Sequence, residues 1–333
     1  MRFCWNCDAG PAPTPDAHRM TTSLFWCSKF NEGLVTDENL GTETLAAPSV
    51  ALWSLLALYA AARFLPLFAD KVPVSVIAAM HVVPPLLFAF LHGASLLGRR
   101  AILAFFLLFF VVGNVIENLG VMTGFPFGHY YFTDRMGPKL LHMPILLGLA
   151  YLGMGYISWT LALLILGNRN ARNPFAGFRL VALPLVASFL MVAWDFSQDP
   201  VWSTIERCWI WPYGGAYFGV PVSNFLGWYL GVYIFYQLFA LYLRRRSAIL
   251  NALPLRHWHL AVLFYTICAA GNLLLLLGTP PGGLAAVSDP SGAMWNIRDI
   301  LGASALVSIF TMGAFALFAW LRLADQNQEA PSQ

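Results

Sequence analysis

Charge is what this sequence has least of: Asp, Glu, Lys and Arg make up 11% of its 333 residues, while 59% are hydrophobic and the mean hydropathy is +0.65. A soluble domain carries about 25% charged residues to cover its surface, so a water-surrounded globule is excluded. A net charge of +3 gives no reason to expect a nucleic-acid partner. Cysteine is scarce as well. Cys4, Cys7, Cys27, Cys208 and Cys268 are odd in number and scattered, so no disulfide framework can be read from them. Cys4 and Cys7 form a C-x2-C pair followed by His18 and Cys27, but no second C-x2-C or H-x3-H accompanies them, so no metal site is expected. The first 45 residues lack the apolar stretch of a signal peptide and carry Pro11, Pro13, Pro15 and six acidic residues. They read as a disordered polar cytoplasmic tail, or as an over-long start with Met20 as the true first residue. A short polar C-terminal tail is expected over 324–333, leaving 46–323 as the membrane domain.

Long apolar runs are what the sequence has in abundance. About 20 apolar residues cross a hydrocarbon core of about 30 Å, and eight segments qualify: 46–69, 73–98, 101–123, 144–167, 180–197, 224–243, 258–278 and 301–323. The expected fold is an all-α, polytopic bundle of about eight transmembrane helices. The second helix contains Pro84 and Pro85, and Pro200 is expected to end the fifth. The loops joining helices 2–3, 4–5 and 6–7 carry Arg99, Arg100, Arg169, Arg172, Arg179, Arg244, Arg245, Arg246 and Arg256, whereas the others have only Lys71, Arg135, Lys139, Arg207 and Arg298. Basic residues mark cytoplasmic loops. Both termini are therefore expected in the cytoplasm, in a bacterial inner membrane.

Ionisable groups within a span need a partner, a watery cavity or a function. Arg63, His81, Glu117, Asp195 and the polar Asn272 all fall in the outer part of the bilayer when converted to depth at about 1.5 Å per residue. Asn114, Glu117 and Asn118 share one helix face, and Asp195 and Asp199 would share another. Pairing of Glu117 or Asp195 with Arg63 or His81, as packing glue, is the competing structural reading. His92 sits apart, near the cytoplasmic end. Directly above the polar layer lie two loops rich in Gly, Pro and aromatics, Thr123–Asp134 and Asp199–Phe225, suited to a lid or a substrate cradle.

These residues resemble the carotenoid biosynthesis membrane proteins that include γ-carotene 1′-hydroxylase and bisanhydrobacterioruberin hydratase, the carotenoid 1,2-hydratase (CruF-like) enzymes. The matching stretches are His92-Gly93, Glu117, Thr123-Gly124, Phe127-Gly128-x-Tyr130, Asp195-x3-Asp199-Pro200, Trp209-x-Trp211 and Tyr217-Phe218-Gly219-Val220-Pro221-x2-Asn224-Phe225-x-Gly227-Trp228. They span 92–228. Met143-Pro144-Ile145-Leu146-Leu147 departs from the family, in which a Trp-containing, proline-rich stretch commonly opens helix 4.

The resemblance implies cofactor-free addition of water across the terminal C1–C2 double bond of an acyclic carotenoid, leaving a tertiary alcohol. Such hydration needs a carboxylic acid that holds its proton, aromatic faces around a tertiary cation, and a positioned water with an acceptor. On that basis Glu117, Asp195 and Asp199 are the candidate catalytic residues, with Asp195 favoured as acid and Glu117 as the holder of water. His92, Asn114, Asn118, Phe127, Tyr130, Trp211, Tyr217 and Asn224 are the candidate substrate contacts, Tyr130, Trp211 and Tyr217 being the cation-facing walls. A lipid-soluble carotenoid and membrane lipids are the expected partners, and association with other enzymes of the pathway is compatible with this. A carotenoid end-group cyclase or isomerase, an ion-coupled carrier and a pigment-binding subunit remain as alternatives.

Overall fold

A computed structural model describes residues 40–167, 173–279 and 286–328. The expectations for Cys4, Cys7, His18 and Cys27 and for Arg169 and Arg172 lie outside them. Among the described residues, eight helical segments are long and apolar enough to cross a membrane. The helices are α1 (Leu40–Ala62), α2 (Val74–Leu97), α3 (Arg99–Thr123), α4 (Ile145–Ile165), α5 (Arg179–Pro200), α6 (Val222–Arg245), α7 (Leu255–Gly278), α8 (Ile297–Val307) and α9 (Ala314–Gln328). The chain is thus a polytopic helical membrane protein, α8 and α9 forming a single span.

α4 is the central helix. It contains no charged residue, and every residue from Ala150 to Leu164 is buried, as expected of a helix that is apolar on all sides. Gly153 lets it meet α2 backbone to backbone, because a Cβ there would lie 2.9 Å from the Leu86 nitrogen and 3.0 Å from the Pro85 carbonyl carbon. Outer helices do the opposite. Leu103, Leu107, Val111, Val115, Leu119 and Met122 form an exposed stripe along α3, with Phe105, Phe109 and Glu117 buried on its inner side. Such a stripe suits lipid, not water.

Two spans are interrupted by π-turns, Val201–Ile205 after α5 and Ser308–Gly313 between α8 and α9. The first corrects the expectation that Pro200 ends the fifth helix: the span continues to Ile205. Proline lacks an N–H and so leaves the carbonyl four residues earlier, that of Phe196, without its helical donor. The Tyr217 hydroxyl supplies one at 3.3 Å. π-Turns of this kind often mark functional sites.

Three short strand pairs gather at the end of the bundle where α3 and α5 finish. The strands are β1 (Tyr131–Phe132), β2 (Lys139–Leu140), β3 (Met143–Pro144), β4 (Trp209–Ile210), β5 (Ala286–Ser288) and β6 (Met294–Asn296). β2 pairs with β3 and β5 with β6. β1 and β4 are antiparallel partners, with Tyr131 opposite Ile210 and Phe132 opposite Trp209. That pairing ties the loop after α3 to the loop after α5.

Candidate active site

Glu117 is buried on the inner face of α3, one turn before Gly120. Both of its carboxyl oxygens accept from phenols: Oε2 from Tyr130 and Oε1 from Tyr151 on α4, the latter at 2.9 Å. Gly120 makes the first contact sterically feasible. A Cβ there would lie 2.6 Å from the Phe127 ring and 3.0 Å from the Tyr130 hydroxyl. Burial first, then the negative charge of Glu117, pushes the Tyr130 phenol well above its ordinary range, so it remains a donor.

Asp195 and Asp199 lie one turn apart on α5, and both are buried. Asp199 is held from two sides. The indole Nε1 of Trp209 donates to Oδ1 at 2.8 Å, and the Asn224 amide donates to Oδ2 at 2.5 Å. The same Asn224 nitrogen lies 3.5 Å from Asp195 Oδ2, a weak bond, so this amide bridges the two carboxyls. Asp195 is the least hydrogen-bonded acid of the three. Its other oxygen has no bonding partner among the described residues.

All three acids line one cavity of about 70 Å³, on a scale where one water takes roughly 10–15 Å³. Its walls are largely aromatic: Phe127, Tyr130, Tyr151, Trp194, Trp202, Trp209, Trp211 and Trp228 all face it, together with Asn224. Trp209 and Trp211 are two residues apart, and such residues in an extended segment point to the same side. One therefore reaches Asp199 while the other packs on Tyr130 with ring centroids 4.8 Å apart. Arg63 and His81 also border the cavity. Neither pairs with a carboxylate. Among the described residues the ion pairs are Arg135–Glu206 at 3.8 Å and Lys139–Asp134 at 2.8 Å, both in loops. The glue reading of Glu117 and Asp195 therefore has no cation to rest on.

The structure brings together Glu117, Asp195, Asp199, Phe127, Tyr130, Trp211 and Asn224, and it places four other candidates elsewhere. Tyr217 is not a wall of the cavity. Its ring packs on Phe196 at 4.5 Å and its hydroxyl serves the Phe196 carbonyl, burial first and the Asp199 charge second pushing the phenol up to about 12. Asn118 accepts from the His142 N–H at 2.9 Å and so clamps the β2–β3 turn, while Asn114 donates to the Phe110 carbonyl at 2.9 Å. Neither bonds Glu117: Asn114 stands three residues before it and Asn118 is the next residue, about 100° further round the helix. His92 lies at the opposite end of the bundle, bonded to the Tyr156 hydroxyl and the His257 carbonyl and stacked on the His257 ring. Tyr151 escapes a reading based on charge. Its signal was a lone phenol in the otherwise apolar first half of α4, where a buried hydroxyl requires an acceptor.

Comparison with known proteins bears on this arrangement. A profile of the family described as carotenoid biosynthesis protein matches residues 72–287, which hold every cavity residue named above except Arg63, just after α1. Bisanhydrobacterioruberin hydratase of Haloarcula japonica is 34% identical over 116 residues. The matched stretch is 34% of this chain and 36% of that enzyme, so the chain spans about a third of the relative's length. No solved structure matches the chain.

Proposed function

The chain belongs to the carotenoid biosynthesis protein family, and from that premise we propose that it hydrates the terminal C1–C2 double bond of an acyclic carotenoid by acid–base catalysis within the membrane, without a cofactor. The observation that carries this reading is three carboxyl groups from two helices, none paired with a cation, meeting at a cavity walled by Trp and Tyr faces. The hydratase named on the partial relative agrees with it.

Each part of the cavity has a task in this chemistry. Asp195, with one oxygen free of protein partners, gives its proton to C2 and the alkene π pair forms the new C–H bond. The tertiary cation left at C1 is met by the faces of Trp211, Trp228 and Tyr130, which attract positive charge through their ring quadrupoles. Water then adds to C1, its oxygen lone pair forming the C–O bond, and its surplus proton passes to Glu117 or Asp199. Glu117 is organised as an acceptor by Tyr130 and Tyr151, and Asp199 by Trp209 and Asn224. Asp195 and Asp199 stand one turn apart on α5, so a proton taken up by Asp199 can return to Asp195 through a water in the cavity.

Expression in a host that accumulates lycopene, followed by mass analysis of its pigments, tests the reaction: a gain of one or two waters is expected. Glu117→Gln and Asp195→Asn should each reduce hydrated product by roughly 10²–10⁴-fold while the protein still accumulates in the membrane. Full accumulation with near-normal turnover in both variants would remove the acid–base reading. A new pigment of unchanged mass would instead identify an end-group cyclase or isomerase.

A further inference from the structure

A second cavity of about 190 Å³ adjoins the first at the same end of the bundle. It lies among the ends of α1, α5 and α7 and the starts of α2 and α8, lined by the exposed Ala69, the half-buried Glu206 and Thr279, and the apolar Ile77, Val201, Ile205, Leu275 and Leu301. The two cavities share four residues, Arg63, His81, Gln198 and Trp202. This shared partition is largely polar and incompletely bonded, with Arg63 buried and His81, Gln198 and Trp202 half-buried. The Arg63 guanidinium donates from Nη2 to Asn272 Oδ1 at 3.0 Å, yet its Nε has no hydrogen-bond partner among the described residues. His81 Nδ1 lies 2.7 Å from the Ile77 carbonyl. A carbonyl can only accept, so Nδ1 carries the hydrogen and Nε2 is left as the free nitrogen of the ring. That atom too is buried with no hydrogen-bond partner among the described residues.

Both atoms belong to residues that line the two cavities, and a buried polar group without a protein partner is commonly met by an ordered water. The partition is also built to keep its shape. Asn272 is itself fixed by donating to Ser308 Oγ at 2.8 Å and Ser197 Oγ at 3.3 Å, and Ser308 opens the second π-turn. Gly271 provides the space for Arg63, since a Cβ there would overlap the guanidinium.

We propose that the second cavity is the water inlet of the site: water enters between the helix ends and passes Arg63, His81 and Gln198 to reach the carboxyl groups, separately from the hydrocarbon, which comes from the lipid. A fixed guanidinium beside this path admits neutral water and repels cations, as in water-selective pores. The inlet rests on the hydration reading, and its test has one arm that does not.

In the first arm, Ile205→Cys is introduced into the full-length protein and treated in intact membranes with an anionic, membrane-impermeant methanethiosulfonate. The expected result is modification above the background of the native cysteines; no labelling beyond that background overturns the inlet. In the second arm, Ala69→Trp narrows the mouth at an exposed residue. Hydrated product per monodisperse molecule should fall about tenfold or more, and labelling of Ile205→Cys should fall with it; unchanged turnover overturns the inlet. Thr279→Phe narrows the opposite rim, so the arm does not depend on one variant folding. A protein that labels at position 205 in the first arm, and whose parent forms no hydrated product, removes the hydration reading instead.

Discussion

At the scale of single residues, the site is defined less by its acids than by what they touch. A carboxyl group buried without a cation needs hydrogen-bond donors, and Glu117 obtains two phenols from different parts of the chain. Loss of one hydrogen bond to such a group costs roughly 1.5–3 kcal/mol, and each 1.4 kcal/mol in a barrier is about tenfold in rate. Tyr151→Phe should therefore lower turnover by roughly 10–100-fold, with little change in membrane accumulation because the ring and its edge contact with Trp228 at 4.3 Å are kept. Turnover per folded molecule, measured from pigment formed in the lycopene host, checks this. A variant with wild-type turnover would leave Tyr151 a packing residue only.

At the scale of elements, the two loops become one structure by the pairing of β1 with β4, which delivers Trp209 to Asp199 and Trp211 to Tyr130. Phe127 keys this lid into the bundle between two glycines, 2.6 Å from a Cβ at position 120 and 2.8 Å from one at position 227. Adding a methyl there forces a packed ring to move, at a cost of about 1–3 kcal/mol. Gly120→Ala should thus lower the thermal midpoint and displace the Tyr130 hydroxyl from Glu117, reducing product more than accumulation. Gly113→Ala on the same helix meets nothing nearer than 3.9 Å and should leave both unchanged. Comparing the two variants by melting and by product formed separates loss of lid packing from a general fault in α3.

At the scale of the whole molecule, eight spans present apolar faces outward and concentrate their polar groups at one end. From the arginine asymmetry of the loops we propose that both termini are cytoplasmic. A reporter fused after Gln333 should be cytoplasmic, and one inserted between Gly282 and Ser288 should lie on the other side. Finding both on one side would dismantle the eight-span arrangement. If the orientation holds, the site and both cavities open on the face away from the cytoplasm.

Hydropathy alone determined that the chain crosses the membrane and close to how often, because each span must satisfy its backbone internally and so appears as a continuous apolar run. Depth along those runs also determined that Glu117, Asp195, Arg63 and His81 occupy one layer, since helical rise is constant. What only the tertiary structure decided is which neighbours meet within that layer. Rotation of each helix about its own axis is set by packing, so Asn114 and Asn118, one turn or less from Glu117, turn to other partners, and Tyr151 turns inward. Past Pro200 the span continues as a π-turn, and the Phe196 carbonyl meets the hydroxyl of Tyr217, a residue from a distant part of the loop that no local pattern specifies. The shared wall of Arg63 and His81 exists only where five helix ends come together.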